Sequence, residues 1–164
     1  MGYDGIHMMS SKLFRSSKGG FTLIEVLLVI AILAILASIV IVALNPAQQF
    51  ASARDAQRQS DVYSILNALH QYALDNEGAF PEALTTEELE ICQTDSLSCT
   101  GMHDLSVLTD DQQYLVEMPA DPQCPYSDAT CAEGGTGYYA YINENGRVTV
   151  NAYGSENSEI SVTR

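Results

Sequence analysis

A chain of 164 residues has the length of one domain, against a usual 100 to 200 or so, which argues against an enzyme built from separate substrate and cofactor modules. Seven Lys and Arg stand against 21 Asp and Glu, a formal net charge of −14 at pH 7, and that excludes a protein holding nucleic acid by neutralising many phosphates. A hydrophobic share of 46% is ordinary for a globular protein, but the apolar residues crowd near the start of the chain.

Residues 1–20 carry Lys12, Arg15 and Lys18 with one acid, Asp4. Met8 or Met9 offers a second start that shortens this leader and removes Asp4. From Phe21 to Leu44 the run FTLIEVLLVIAILAILASIVIVAL has Glu25 as its only charge, with Thr22 and Ser38 the other polar side chains. As a helix it reaches about 36 Å, enough to cross a hydrocarbon core of about 30 Å with some tilt. The basic leader predicts residues 1–20 in the cytoplasm and the acidic remainder outside. Ala51-Ser52-Ala53 is a candidate signal-peptidase site, but the apolar run ahead of it is longer than the 7 to 15 or so residues of a cleavable signal.

At the junction the chain reads Ser16-Ser17-Lys18-Gly19-Gly20-Phe21-Thr22-Leu23-Ile24-Glu25. Paired glycines can lie extended in a protease groove where a side chain would clash. A carboxylate inside a membrane run costs about 2.5 to 3.5 kcal/mol at the centre of a span and marks function. This junction resembles the class III signal of the type IV prepilins: a basic leader, a Gly before the cut, an aromatic new N-terminus and a Glu four residues on. The resemblance implies cleavage after Gly20 by a membrane-embedded prepilin peptidase, methylation of the Phe21 amine, and retention of the apolar helix. It further implies an α+β fold, with a long N-terminal helix on a small antiparallel sheet. The partners implied are other pilin subunits and the pilus assembly machinery. Inside a filament, Glu25 would need a cation, and the cleaved Phe21 amine is the one the run supplies. Ala31, Ala34 and Ser38 follow three- and four-residue steps that let a second backbone approach closely.

Asn45-Pro46-Ala47-Gln48 interrupts the rod. Either Asn45 caps a new helix with Pro46 at its first position and Gln48 in a capping box, or Pro46 kinks one continuous helix. The organisation is then a leader (1–20), an apolar helix (21–44), an amphipathic half (45–76) and a disulfide-bonded head (77–164). In the amphipathic half Val62, Ile65, Leu66, Leu69, Tyr72 and Ala73 recur at helical spacing with Phe50 ahead of them, which predicts Arg54, Arg58, Asp61 and Asp75 on the other side. Asp75-Asn76-Glu77-Gly78 and Pro81 end it.

Residues 82–113 read as an acidic loop region with a short helix near Thr86 to Cys92, and Tyr114 to Met118 as a strand. Cys92, Cys99, Cys124 and Cys131 all follow the apolar run, and an even count in an exported domain reads as two disulfides. Their C-x6-C spacing departs from structural zinc sites. Three connectivities are possible; Cys92 with Cys99 and Cys124 with Cys131 is preferred because each closes a polar loop locally, worth about 2.5 kcal/mol in the chain-entropy model. Gly137 to Asn143 and Arg147 to Tyr153 predict strands about an Asn145-Gly146 two-residue turn. That register puts Tyr139 and Tyr141 on the buried face with Val148, Val150 and Ala152, and Tyr138 outside opposite Tyr153. Glu159 to Thr163 adds a last edge strand.

No catalytic group or cofactor is needed. His70 and His103 have no nucleophile or triad signature near them and read as surface histidines. Tyr138, Tyr139, Tyr141 and Tyr153 suggest an adhesive patch, but alternation divides them between core and surface and favours plain packing. The resulting expectation is a non-enzymatic filament subunit, a single-pass membrane protein before assembly and part of an extracellular pilus after it. Two alternatives stand beside it. A type II secretion pseudopilin shares the signal and commonly holds calcium, for which Asp121, Asp128 and Glu133 offer oxygen ligands without a regular spacing. A membrane-anchored binding domain that never polymerises would need no cleavage before Phe21.

Overall fold

A computed structural model describes residues 19–94, 96–124 and 131–164. The chain divides into two compact units, one ending at Leu44 and the other spanning Asn45–Arg164.

The first unit holds helix α1, Leu23–Leu44, which buries none of its residues. Its mean hydropathy of 3.4 makes it long and apolar enough to cross a membrane. Thr22 caps it: the Glu25 amide donates to the Thr22 hydroxyl (3.3 Å) and to the Thr22 carbonyl (3.1 Å), satisfying an N-terminal amide that has no partner within the helix. Thr22-Leu23-Ile24-Glu25 is therefore spaced as a capping box, a signal legible in the sequence that the prepilin pattern overshadows.

The second unit opens with α2, Pro46–Asp75. Asn45 ahead of it has φ 42° and makes no side-chain capping bond. Helical φ/ψ is therefore interrupted at Asn45, and Pro46 takes the first position of α2, where its missing N–H is one the helix would not use. The sheet is a four-stranded antiparallel meander in the order β1-β2-β3-β4: β1 Leu89–Cys92, β2 Gly135–Ile142, β3 Val148–Ala152 and β4 Ile160–Thr163. The fold is α+β, a helix packed on a small antiparallel sheet. Val62, Ile65, Leu66 and Leu69 of α2 close a core with Ile91, Tyr138, Ala140, Val148 and Val150 of the sheet, and with Leu105 and Leu108 of a 3₁₀ turn.

Several local expectations are overturned. Thr86 to Cys92 forms no helix, because Leu89–Cys92 pairs with β2 (Leu89 opposite Ala140, Glu90 opposite Tyr139) and buries Ile91. Tyr114 to Met118 forms no strand: the Leu115 amide donates to the Leu108 carbonyl and the Met118 amide to the Thr94 hydroxyl, so these groups have no ladder to join. The β2–β3 hairpin is offset by one residue from the two-residue-turn register. Asn143 and Arg147 are joined by an amide-to-carbonyl bond of 2.8 Å, leaving a three-residue loop in which Gly146 takes φ 74° and donates back to the Asn143 carbonyl. A Gly in the left-handed region is what a three-residue hairpin requires. The one-residue slip turns the β2 side chains to the other face, so Tyr138 is buried opposite Ala152 while Tyr139 and Tyr141 lie on the outer face opposite Asn151 and Thr149; Val148, Val150 and Ala152 of β3 hold the buried face expected of them.

Candidate functional site

Residues 1–18 of the leader lie outside the described residues; from Gly19 onward the residues of the junction share one property: their own chain does not cover them. Phe21, Leu23 and Ile24 are exposed, and a Cβ added at Gly19 or Gly20 would meet no atom within 4 Å. Nothing in the fold requires glycine there. Glu25 sits in the first turn of α1, where the positive end of the helix dipole favours a carboxylate. Along α1, Ala31, Ala34 and Ser38 are exposed, but the Ser38 hydroxyl already donates to the Ile35 carbonyl at 2.7 Å and so needs no acceptor outside the helix.

The head is organised by charges read from the sequence as solvent-facing. Arg58 is fully buried and forks onto Asp121, Nε to Oδ2 at 2.7 Å and Nη2 to Oδ1 at 3.0 Å; it also donates to Asp55 (2.9 Å) and Gln123 (2.7 Å). Burial pulls this guanidinium down, yet the bonds to Asp121, Asp55 and Glu156 outweigh it and hold Arg58 above its ordinary value. Asp61 is also buried and accepts the Tyr138 hydroxyl at 2.7 Å. Burial pushes both groups up, against the hydrogen bonds that favour the Asp61 carboxylate. The helix stripe is thus correct for Val62 to Ala73 and wrong for Arg58 and Asp61, while Phe50, placed at its head, is exposed. A charge can occupy the apolar side of a helix when a partner from another segment meets it; here the partners are 63 and 77 residues away.

Asp121, a calcium candidate, has both carboxylate oxygens engaged by Arg58 and by the Gln123 amide. Glu133 is exposed and Asp128 lies outside the described residues. Among the described residues no group of three His, Cys, Asp or Glu side chains is arranged to hold a metal ion. Cys92 is bonded to Cys99 and Cys124 to Cys131, with Cα separations of 5.6 and 6.0 Å. Glu90 ties the bases of the two loops together: buried, it accepts from the Ala132 amide at 3.0 Å and the Gly137 amide at 2.7 Å. A Cβ on Gly135 would collide with that carboxylate.

Neither histidine behaves as a plain surface residue. His103 is buried, its ring facing the carbonyls of Ala83 (2.7 Å), Glu87 (3.1 Å) and Ala140 (3.0 Å). His70 is half-buried, edge-on to Phe80.

Residues 15–41 match the family model described as the prokaryotic N-terminal methylation motif. The chain therefore carries the class III prepilin signal of type IV pilins and pseudopilins. That motif supports a pilin-like or pseudopilin-like precursor, implies processing by a prepilin peptidase, and with the apolar α1 supports anchoring in a membrane. No match was found among curated proteins or among solved structures.

Proposed function

We propose that this protein is a structural, non-enzymatic subunit of a type IV pilus-like filament, cut between Gly20 and Phe21, N-methylated at Phe21 and polymerised through α1. One observation carries the reading: the methylation motif heads a 22-residue helix that buries none of its residues within its own chain. Such a surface needs either lipid or other apolar helices around it, and transfer from one to the other is what assembly performs. The glycines support the same conclusion, because a requirement that the fold does not impose is left to the peptidase. Glu25 serves assembly by pairing with a cleaved Phe21 amine, which sets the axial register among otherwise uniform apolar helices. The engagement of Asp121 by Arg58 takes one ligand away from the calcium site that a pseudopilin reading would use.

The test is mass spectrometry of the mature N-terminus together with electron microscopy of sheared cells. An N-methylated Phe21 and thin filaments containing this chain are expected. An intact leader would favour a non-polymerising membrane anchor instead.

A further inference from the structure

The sheet face turned away from α2 carries aromatic and polar side chains that the core does not use. Tyr139, Tyr141 and Asn151 point to it by the register of β2 and β3, and Tyr153 and Glu88 border it. The Tyr139 and Tyr153 rings meet edge to face with centroids 5.1 Å apart, and Tyr153 is 57% exposed. One oxygen of Glu88, Oε1, accepts both the Tyr153 hydroxyl (2.7 Å) and the Asn151 amide (2.6 Å). That holds the Asn151 amide on the sheet and tethers the exposed Tyr153 ring by one hydrogen bond at its tip, a bond a ligand hydroxyl can exchange. The remaining Asn151 atom is the anomaly. Its residue is only 9% exposed, and Oδ1 is buried without a hydrogen-bond partner among the described residues. An orphaned buried acceptor costs free energy and calls for a donor. Beside this group, Tyr141 lines a hollow of about 470 Å³ shared with Thr86, Ile142, Asn143 and Glu144, whose polar side chains add further donors and acceptors.

We infer that this face binds a neutral saccharide. A sugar ring presents an apolar C–H surface bounded by hydroxyls that both donate and accept, and tyrosine rings offer the complementary apolar face with polar tips. A hydroxyl can supply the proton that Asn151 Oδ1 lacks once the exposed Tyr153 ring tilts aside. Electrostatics excludes anionic glycans: residues 45–164 contain four Arg and no Lys against nineteen Asp and Glu. A small organic cation is the main competing occupant, because Glu88 keeps its charge whatever hydrogen bonds its Oε1 accepts, and choline in the titration tests for it. Extended apolar peptides are disfavoured because the face alternates rings with fixed polar groups and offers no continuous greasy groove.

The full chain in zwitterionic micelles, free of sugar-headed detergent, would be titrated calorimetrically with cellohexaose and with chitohexaose. Heparin hexasaccharide, choline and a polyproline peptide would serve as contrasts. Saturable binding of either neutral oligosaccharide is expected, weakened roughly tenfold by Tyr153→Ala or Tyr139→Ala, the equivalent of one lost stacked ring. Tyr153→Phe keeps the ring and should stay within about threefold of wild type by the same measure, and Leu74→Ala, exposed on α2, should change nothing. Because Tyr153 is more than half exposed, its variants should melt like wild type. The inference is overturned if neither neutral sugar binds, if Tyr153→Ala binds as wild type does, if Tyr153→Phe loses as much as Tyr153→Ala, or if heparin, choline or polyproline binds more tightly than both neutral sugars. Filament formation plays no part in this measurement, so its outcome is independent of the assembly reading.

Discussion

The two helices of this chain answer to different surroundings. α1 is apolar on every side and none of its 22 residues is buried, whereas α2 is mixed in composition and buries nine of its 30 residues. A helix that is hydrophobic all round belongs inside something. α2 is amphipathic and covers its apolar stripe with the protein's own sheet; α1 needs lipid or other apolar helices around it. The lesson is that burial within one chain measures only part of a helix's stabilisation; on the filament reading proposed above, substitutions in α1 act on processing and assembly while those in α2 act on folding.

The sharpest break between the two regions is expected at the cut. Gly20→Val adds a branched side chain where the fold itself has free space, so the protein should fold and insert normally yet keep its leader completely. Immunoblotting of membrane fractions would show it, and normal cleavage of this variant would remove the basis for the processing assignment. Next in size is Glu25→Ala, with Glu25→Gln as the control that keeps shape but not charge. Both should be inserted and cleaved. Filament yield in shear fractions should drop by roughly tenfold or more, since misregistered helices no longer differ from registered ones by the cost of an unpaired buried carboxylate. Wild-type yields from both would show that charge pairing does not set the register.

In α2 the largest effect should come from a charge. Arg58→Ala strips the partner from buried Asp121 and is expected to destabilise the head by about 3 to 5 kcal/mol, read by denaturant unfolding of the full chain in micelles. Arg54→Ala breaks the neighbouring exposed pair with Glu156 and should be far milder, because solvent screens exposed ion pairs. Equal losses from the two would mean that burial is not what distinguishes them.

The hairpin register gives the next test. Tyr138→Phe removes a buried hydroxyl from Asp61 and should cost about 1 to 3 kcal/mol. Tyr139→Phe alters the outer face and should cost much less. The reverse order would restore the register read from the sequence alone. That misreading shows where single-sequence inference stops. Hydropathy and Pro46 made the division into α1 and α2 legible, and the 3.6-residue period located Val62 to Leu69, because both signals are local. The Asn145-Gly146 pair announced a hairpin correctly, yet it suits a two-residue loop and a three-residue loop alike, and one residue decides which tyrosine is buried. Thr86 to Cys92 reads as a helix by composition, but pairing with β2 overrides that preference. Arg58 and Asp61 were illegible for a related reason, since their partners Asp121 and Tyr138 are remote in sequence and no local period points to them. The junction was legible as a motif because that signal is linear, and residues 15–41 match the methylation motif.

The smallest effect expected is a pH dependence that divides α2 itself. Its first turns, through Asp55, bury only Ala51 and are held by polar bonds to the loop after β3. Asp55 accepts from the Glu156 and Asn157 amides at 2.9 and 2.8 Å, and Arg54 forks onto Glu156. Burial raises the Asp55 carboxyl, but those hydrogen bonds overcome it and leave it below its ordinary 3.8, while the Arg54 bond holds Glu156 below its ordinary 4.5. Groups depressed on folding stabilise the folded form above their unfolded values and lose that contribution as the pH falls through the folded ones. Asp61 works in the opposite sense: raised chiefly by burial, it favours folding more as the pH falls and cannot cause an acid loss. Hydrogen exchange, corrected for intrinsic rates, should therefore show residues 46–57 losing protection between pH 5 and pH 3 while residues 62–73, held by the apolar core, keep theirs. Uniform loss along α2 would mean that the helix opens as one unit and that the polar bonds at its start do not act as a separate clamp.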